Sequence, residues 1–299
     1  MIIQEIPTRS ILTRTGGYLS AVCSHSLQPY RGCALGRSLC GVGCYAQHQR
    51  FLSQGRRWGD FLDVKTGVDR LYLESYAREK TWARRTQGDF GVFLSSSTEP
   101  FPPQERRLGV TRAVLEAMQS APPDRLIVQT HSPIVTESLD LLKVLNGKCE
   151  LRVHVSIESD MDRLPGLPGP FASVKSRIVA VRQIRDAGIR VVITVSPLLP
   201  MRDPDAFFRR LAEVADAVVI DHFIEGDGSI GGQRTLRTVL PAAMSEIDPA
   251  SVSIDYRQEI IAIAVRHFPG RVGVGPTGFA GIYANGTPPP SQSKRIRND

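Results

Sequence analysis

The sequence predicts an α/β protein, a partial (β/α) barrel with parallel strands, and three observations lead there. Short apolar runs alternate with amphipathic stretches through the middle of the chain, an order that requires crossover helices and parallel strand pairing. Five or six such units follow one another without interruption, as in a full or partial barrel. Small hydroxyl or ionisable residues cluster where nearly every apolar run stops, and the C-terminal strand ends are where parallel α/β proteins build their sites. A doubly wound open sheet fits the same alternation. No internal repeat of fixed period is present.

The elements follow in order. Residues 90–94 (FGVFL) read as a buried strand, and 104–119 then carry the spacing of an amphipathic helix. A strand at 125–129, a helix at 135–146, a strand at 150–157 and a helix at 174–187 continue the pattern. Gly188 stands where a C-terminal cap glycine belongs, and the strand 189–195 follows at once. A helix at 204–214 and a strand at 216–221 make a further unit. The clusters at the strand ends are Ser95-Ser96-Ser97-Thr98-Glu99, Thr130-His131-Ser132, Ser156-Ile157-Glu158, Ser196-Pro197 and Asp221-His222. One alone would be a helix cap; five in register read as a ligand-binding rim. The stretch 250–267 looks helical, and the segment 53–67, with Arg56, Arg57 and Trp58, reads as a solvated loop.

The chain has 299 residues and a formal charge of +7, with a sequence pI of about 9.4. The excess of base points mildly to a polyanionic partner. No apolar stretch is long enough to cross a bilayer, and the N-terminal stretch lacks the apolar core of a secretory signal. A cytoplasmic, membrane-free protein is the expectation.

Of five cysteines, four (Cys23, Cys33, Cys40 and Cys44) fall close together near the N-terminus. In a reducing compartment such clustering reads as metal ligation rather than cross-linking. Cys33, Cys40 and Cys44 share one glycine-rich loop with the spacing C-x6-C-x3-C. Three thiolates leave one position of a zinc tetrahedron, or one iron of a cubane, without a cysteine. His25 or His48 would be the available fourth ligand for zinc, yet neither completes a familiar zinc spacing. Cys23 and Cys149 read as packing residues.

The blocks PYRGC…GCYA, SSSTEPFPPQERRLGVTR, VQTHSPIV, VSIES and a strand ending in SPLLP resemble the radical S-adenosylmethionine superfamily, and within it the group related to spore photoproduct lyase. The matching blocks run from Pro29 to Pro200. The resemblance implies a [4Fe–4S] cluster on Cys33, Cys40 and Cys44 at the barrel mouth, with S-adenosylmethionine on the open iron. It places Tyr45 beside the adenine, and Ser97, Thr98 and Glu99 at the methionyl amino group. His131 stands where related sequences often have a lysine; Ser156 and Arg177 fall near the ribose and carboxylate. Three departures accompany it. The usual spacing is C-x3-C-x2-C, and Gly43 replaces the aromatic that commonly precedes the third cysteine. The hydrogen-donating cysteine of spore photoproduct lyase proper also has no counterpart in Ser95-Ser96-Ser97.

The implied function is reductive cleavage of S-adenosylmethionine to a 5′-deoxyadenosyl radical acting on an unknown substrate, a nucleic acid or a phosphorylated molecule. A reductant such as flavodoxin or ferredoxin would serve it. Alternatives are a non-catalytic zinc or iron–sulfur protein that binds nucleic acid, and a group-transferring enzyme moving an aminocarboxypropyl or methyl group. The expected organisation is a barrel core over 1–233, an extension over 234–284 and a disordered tail over 285–299.

Overall fold

The computed structural model describes residues 1–283, so the expected tail over 285–299 lies outside the described residues. Strand β9 (Val191–Val195, VVITV) shows why the sheet forms: four of its residues are β-branched valine or isoleucine, and all five are buried. A run buried on both faces belongs inside a parallel sheet covered by helices. The other strands of this sheet are β2 (Leu12–Arg14), β3 (His25–Leu27), β6 (Gly91–Leu94), β7 (Arg125–Thr130), β8 (Glu150–Ser156), β10 (Ala217–Ile220) and β11 (Val272–Val274). Their order is β11-β10-β9-β8-β7-β6-β3-β2. All pairs are parallel except β2 with β3.

From β3 to β11 the spatial order follows the chain order without reversal. A doubly wound sheet has a switch point where that order turns back, so the barrel reading prevails over the open sheet. The edges curl toward each other. Tyr18, after β2, donates a 2.8 Å hydrogen bond to Asp221, after β10, and packs edge-on against Phe279, after β11.

Strand alternation divides the core. Leu126, Val128, Val153, Val155, Ile193 and Ile220 face outward into the main apolar layer beneath the helices. Phe93, Ile127, Val192, Ala217 and Val219 face inward and form a smaller floor with Val22, Cys23 and Phe279. On β8 the inward positions are Arg152 and His154. Arg152 donates to the carbonyl of Ala280 at 2.6 Å. Burial, followed by the nearby Arg152 and Arg190, pulls His154 down to about 3, so its ring packs neutral against Phe93 and Phe279.

The structure amends several expected elements. The helix over 104–119 is broken at Gly109 (φ +62°) into Glu105–Leu108 and Val110–Ser120, because only glycine enters that region freely. The helix over 135–146 opens with a 3-10 stretch, Pro133–Ser138, before Leu139–Asn146. Gly188 does take the cap conformation, with φ +77°. The 53–67 segment is not a solvated loop: Trp58 is buried, and β5 (Phe61–Lys65) pairs with β1 (Ile2–Ile6) and β4 (Tyr30–Gly32) in a second, three-stranded sheet. Asp63 is buried on β5, taking Gln4, Arg31 and Arg56.

The helix Val68–Thr86 is absent from the sequence reading. Its buried positions are Val68, Tyr72, Ser75, Glu79 and Ala83, a helical spacing masked by a serine and a glutamate. Toward the C-terminus, Ile254–His267 packs on Pro204–Ala212, with His267 Nε2 2.9 Å from Asp205. The segment from 234 therefore contributes a flanking helix and strand β11 to the same sheet.

Glu79 fastens the 68–86 helix to the first strands, lying 2.8 Å from Arg14 and 3.1 Å from His25. Burial opposes its charge, but hydrogen bonds from Arg14, Arg78 and His25 prevail and hold the carboxyl at about 2. A depressed folded value contributes stability above the unfolded value of about 4.3 that is lost as pH falls through the folded one. Denaturant melts of the wild type should lose on the order of 2 kcal/mol from this group between about pH 5 and pH 2. Glu79→Gln should be destabilised at pH 7 and should lack that component of the acid loss.

Candidate active site

Strand β4 delivers the chain straight into Cys33, and the loop that follows folds back on itself. An ideal Cβ at Gly36 would overlap the backbone of Gly59, and one at Gly41 would overlap Gly36. The backbones therefore meet at distances only glycine permits. The short helix Leu39–Val42 carries Cys40, and Cys44 caps the 3-10 turn Tyr45–His48. Cys33 packs with Leu35, Ala46, Leu52, Trp58 and Phe61, and Cys44 and Tyr45 lie against this cluster. All three thiols are unbridged.

Burial, with Cys40 and Cys44 next in effect, pushes the Cys33 thiol well above its ordinary range. Burial and Cys40 push Cys44 up to about 12. These thiols stay protonated unless a cation offsets the mutual repulsion of their anions, which is what metal ligation does. Among the described residues no three His, Cys, Asp or Glu side chains converge on a single-ion position. Ligands of a cubane stand on separate irons and need not converge, so the donor set suits a [4Fe–4S] cluster better than a closed zinc tetrahedron. His25, one candidate fourth ligand, is held by Ser24 and Glu79 instead. Cys149 donates to the carbonyl of Leu145 and packs on the main core, and Cys23 is buried in the barrel floor.

The histidine beside the thiols is His131, at the end of β7. Its Nε2 lies 3.1 Å from Glu158. Burial alone would lower its basicity, but Cys40 and Glu158 outweigh burial and raise it well above the usual imidazole range. Burial likewise opposes the charge on Glu158, yet Arg177 and His131 hold it at about 2. Arg177 Nη1 donates to Glu158 at 2.7 Å and to the carbonyl of Ser156 at 2.6 Å. Cys40, His131, Glu158 and Arg177 line one small cavity, so Arg177 is buried rather than solvated on its helix.

Next to it opens the main cleft, about 690 Å³ in volume, which is within the usual size of small-molecule sites. Of the expected cofactor residues, Tyr45, Ser97, His131 and Ser156 line it. Thr98, Glu99 and Arg177 stand behind its wall. Thr98 donates to Gln28 at 2.8 Å, and Gln28 donates in turn to Ser96 at 2.8 Å. Glu99 accepts from Thr130 Oγ1 at 2.5 Å and from the backbone N–H groups of Phe101 and His131 at 2.9 Å. Its carboxyl pins the ends of β6 and β7 together. Tyr45 donates to the carbonyl of Ser96 at 3.2 Å, and Ser156 shares hydrogen bonds with Gln129 and Thr194.

Sequence reasoning did not single out Tyr18 or Gln129. Both line the cleft, and only their distant partners reveal them. Asp221 was visible in the rim pattern. Burial pushes its carboxyl up to about 7, while the Tyr18 hydrogen bond pulls the other way.

No protein-family model matches the chain. An uncharacterised protein, ORF301 of Acidianus two-tailed virus, is 29% identical over 146 residues, 48% of this chain and 44% of that protein. The chain therefore matches under half the length of that relative. Among solved structures, spore photoproduct lyase complexed with dinucleoside spore photoproduct superposes with a TM-score of 0.61 at 14% identity, over 91% of this chain and 81% of that one. The fold is that of spore photoproduct lyase. A double variant of that lyase with bound AdoMet and dinucleoside spore photoproduct gives a TM-score of 0.54 at 15% identity, over 85% of this chain and 76% of that one.

Gly41→Ala should force the cysteine loop apart and remove iron loading on anaerobic reconstitution, while Cys149→Ala should load as the wild type does. Iron and sulfide analysis of the two variants checks this.

Proposed function

We propose that the chain is a radical S-adenosylmethionine enzyme. The observation that carries this reading is the placement of three cysteines, Cys33 buried and Cys40 and Cys44 partly buried, on one loop beside a cleft of cofactor and substrate size. Cys33, Cys40 and Cys44 would hold a [4Fe–4S] cluster, leaving one iron for S-adenosylmethionine. When bound, the pair supplies reductive cleavage of the sulfonium and so a 5′-deoxyadenosyl radical.

The chain's own residues orient and shield. Tyr45, fixed by the Ser96 carbonyl, offers a ring face at the cleft wall beside the cluster loop. Ser97, after β6, and Ser156, at the end of β8, line the cleft, with the Ser156 hydroxyl held by Gln129 and Thr194. His131 stands beside Cys40 and Glu158, which raise its basicity against the lowering by burial. Glu99 and the Gln28–Thr98 pair fix the loops that carry these groups. Phe93 and Phe279 line the cleft with apolar surface and exclude water from its floor.

A nucleic acid or phosphorylated molecule is the proposed substrate class, supported by the basic charge and by the dinucleoside bound to the structurally similar lyase. Ser95, Ser96 and Ser97 provide no thiol where that lyase group has its hydrogen donor, so the substrate or the donor differs from theirs. A flavodoxin- or ferredoxin-type reductant in the cytoplasm would supply the electron.

The test is anaerobic reconstitution with iron and sulfide, then dithionite and S-adenosylmethionine. The expected product is 5′-deoxyadenosine from a protein with about four irons per chain. Four irons with a transferred aminocarboxypropyl or methyl group instead would point to group transfer, and one zinc without iron would overturn the proposal. Ala replacement of Cys33, Cys40 or Cys44 should each abolish the cluster. Ser97→Ala combined with Ser156→Ala should keep the irons but weaken S-adenosylmethionine binding by roughly tenfold or more, as loss of one to two hydrogen bonds predicts.

A further inference from the structure

The outer end of the main cleft differs in kind from its floor. Lys65, the last residue of β5, lines it together with Arg31 of β4 and Phe51 of the short helix Arg50–Ser53. Arg31 and Arg56 share one carboxylate, Asp63. Lys65 is partly buried, and no carboxylate lies within ion-pair distance of it among the described residues. Phe51, on the helix packed against β4, leaves 70% of its surface exposed. The acids that line the cleft are committed elsewhere: Asp221 to Tyr18, and Asp227 to Ser229 and Thr235.

A partly buried cation without a counter-ion is costly unless an anion compensates it, and an exposed aromatic ring on the same cleft offers that ligand a face on which to stack. We propose that Lys65 and Arg31 form a phosphate subsite at the lip of the cleft and that Phe51 stacks on the planar ring adjoining that phosphate. The ligand class is a phosphate ester next to a heterocycle, whether a free nucleotide or one unit of a strand. Its anionic end lies outward on the lip, and its uncharged part points toward the neutral floor. Burial, then the neighbouring Arg31, lowers Lys65 to about 8, the direction expected of an amine kept from water without an acidic partner. Arg31 keeps its Asp63 partner and adds charge; Lys65 makes the direct contact. A stacked ring and a cation together suffice for sequence-tolerant binding.

Binding here needs neither cluster nor cofactor, so the subsite and the proposed radical chemistry fail or succeed separately. The experiment titrates the full chain at low salt with inorganic phosphate, uridine and uridine 5′-monophosphate by calorimetry. The nucleotide should bind at least tenfold more tightly than the nucleoside. Lys65→Met should erase that advantage, Lys65→Arg should keep most of it, and Phe51→Ala should weaken nucleoside and nucleotide alike without changing inorganic phosphate. Equal affinities for nucleoside and nucleotide, or an undiminished phosphate advantage in a folded Lys65→Met protein, would overturn the proposal. An eight-nucleotide single strand separates the two sources. A steeper fall of affinity with salt than for the mononucleotide means a continuous backbone on the lip, and equal slopes mean a single nucleotide; either outcome supports the subsite.

Discussion

Three stretches of backbone meet at Gly36, Gly41 and Gly59, closer than any side chain permits, and the positions of the three thiols follow from that contact. The loop that carries Cys33 and Cys40 turns back on itself and rests against the segment entering β5. That packing sets Leu35, Trp58 and Phe61 around Cys33 and buries it, while Cys40 and Cys44 stay partly exposed. The residues between Cys33 and Cys40 in the wide C-x6-C-x3-C spacing form this glycine-lined return.

The second organising feature is electrostatic. Burying a charged group is costly unless it is paired, and several of the buried ionisable groups here are tied across the strand ends. Glu99 ties β6 to β7, Glu158 ties His131 to Arg177, and Asp221 ties β10 to the N-terminal loop through Tyr18. Each tie spends an ionisable group on architecture. The cleft is left with the hydroxyls of Ser97 and Ser156, the Tyr45 ring and a neutral floor. Its surplus positive charge lies outward at Lys65 and Arg31 and inward at His131, which divides the site into an anion-accepting lip and a shielded interior.

The parallel strands from β6 to β10 were legible because each is a compact apolar run followed by a turn signal, and Gly188 marked its boundary as expected. Other elements hid for definable reasons. Strand β3 has three residues, one of them the buried His25, too few to show a period. The helix Val68–Thr86 buries Ser75 and Glu79 among its contacts, so its apolar stripe is interrupted. Strand β5 contains Asp63, which sequence reading assigns to solvent and which is instead neutralised by two arginines and a glutamine. In the helix over 104–119 the apolar spacing continues through Gly109, but spacing carries no information about φ.

By itself, the sequence determined the fold class and the parallel order of the central strands, and it grouped Cys33, Cys40 and Cys44 on one loop. These are local properties: apolar period, turn chemistry and the grouping of thiols on one loop. Which rim residues face the cleft was decided by tertiary structure. Thr98 and Glu99 are neighbours of Ser97 in the chain, yet only Ser97 lines the cleft, because Gln28 and Thr130 arrive from distant segments to claim the other two. Tyr18 and Gln129 acquire their places in the same way. A side chain's availability for a ligand depends on whether some remote group has already satisfied it, and that is known only once the strands are laid side by side.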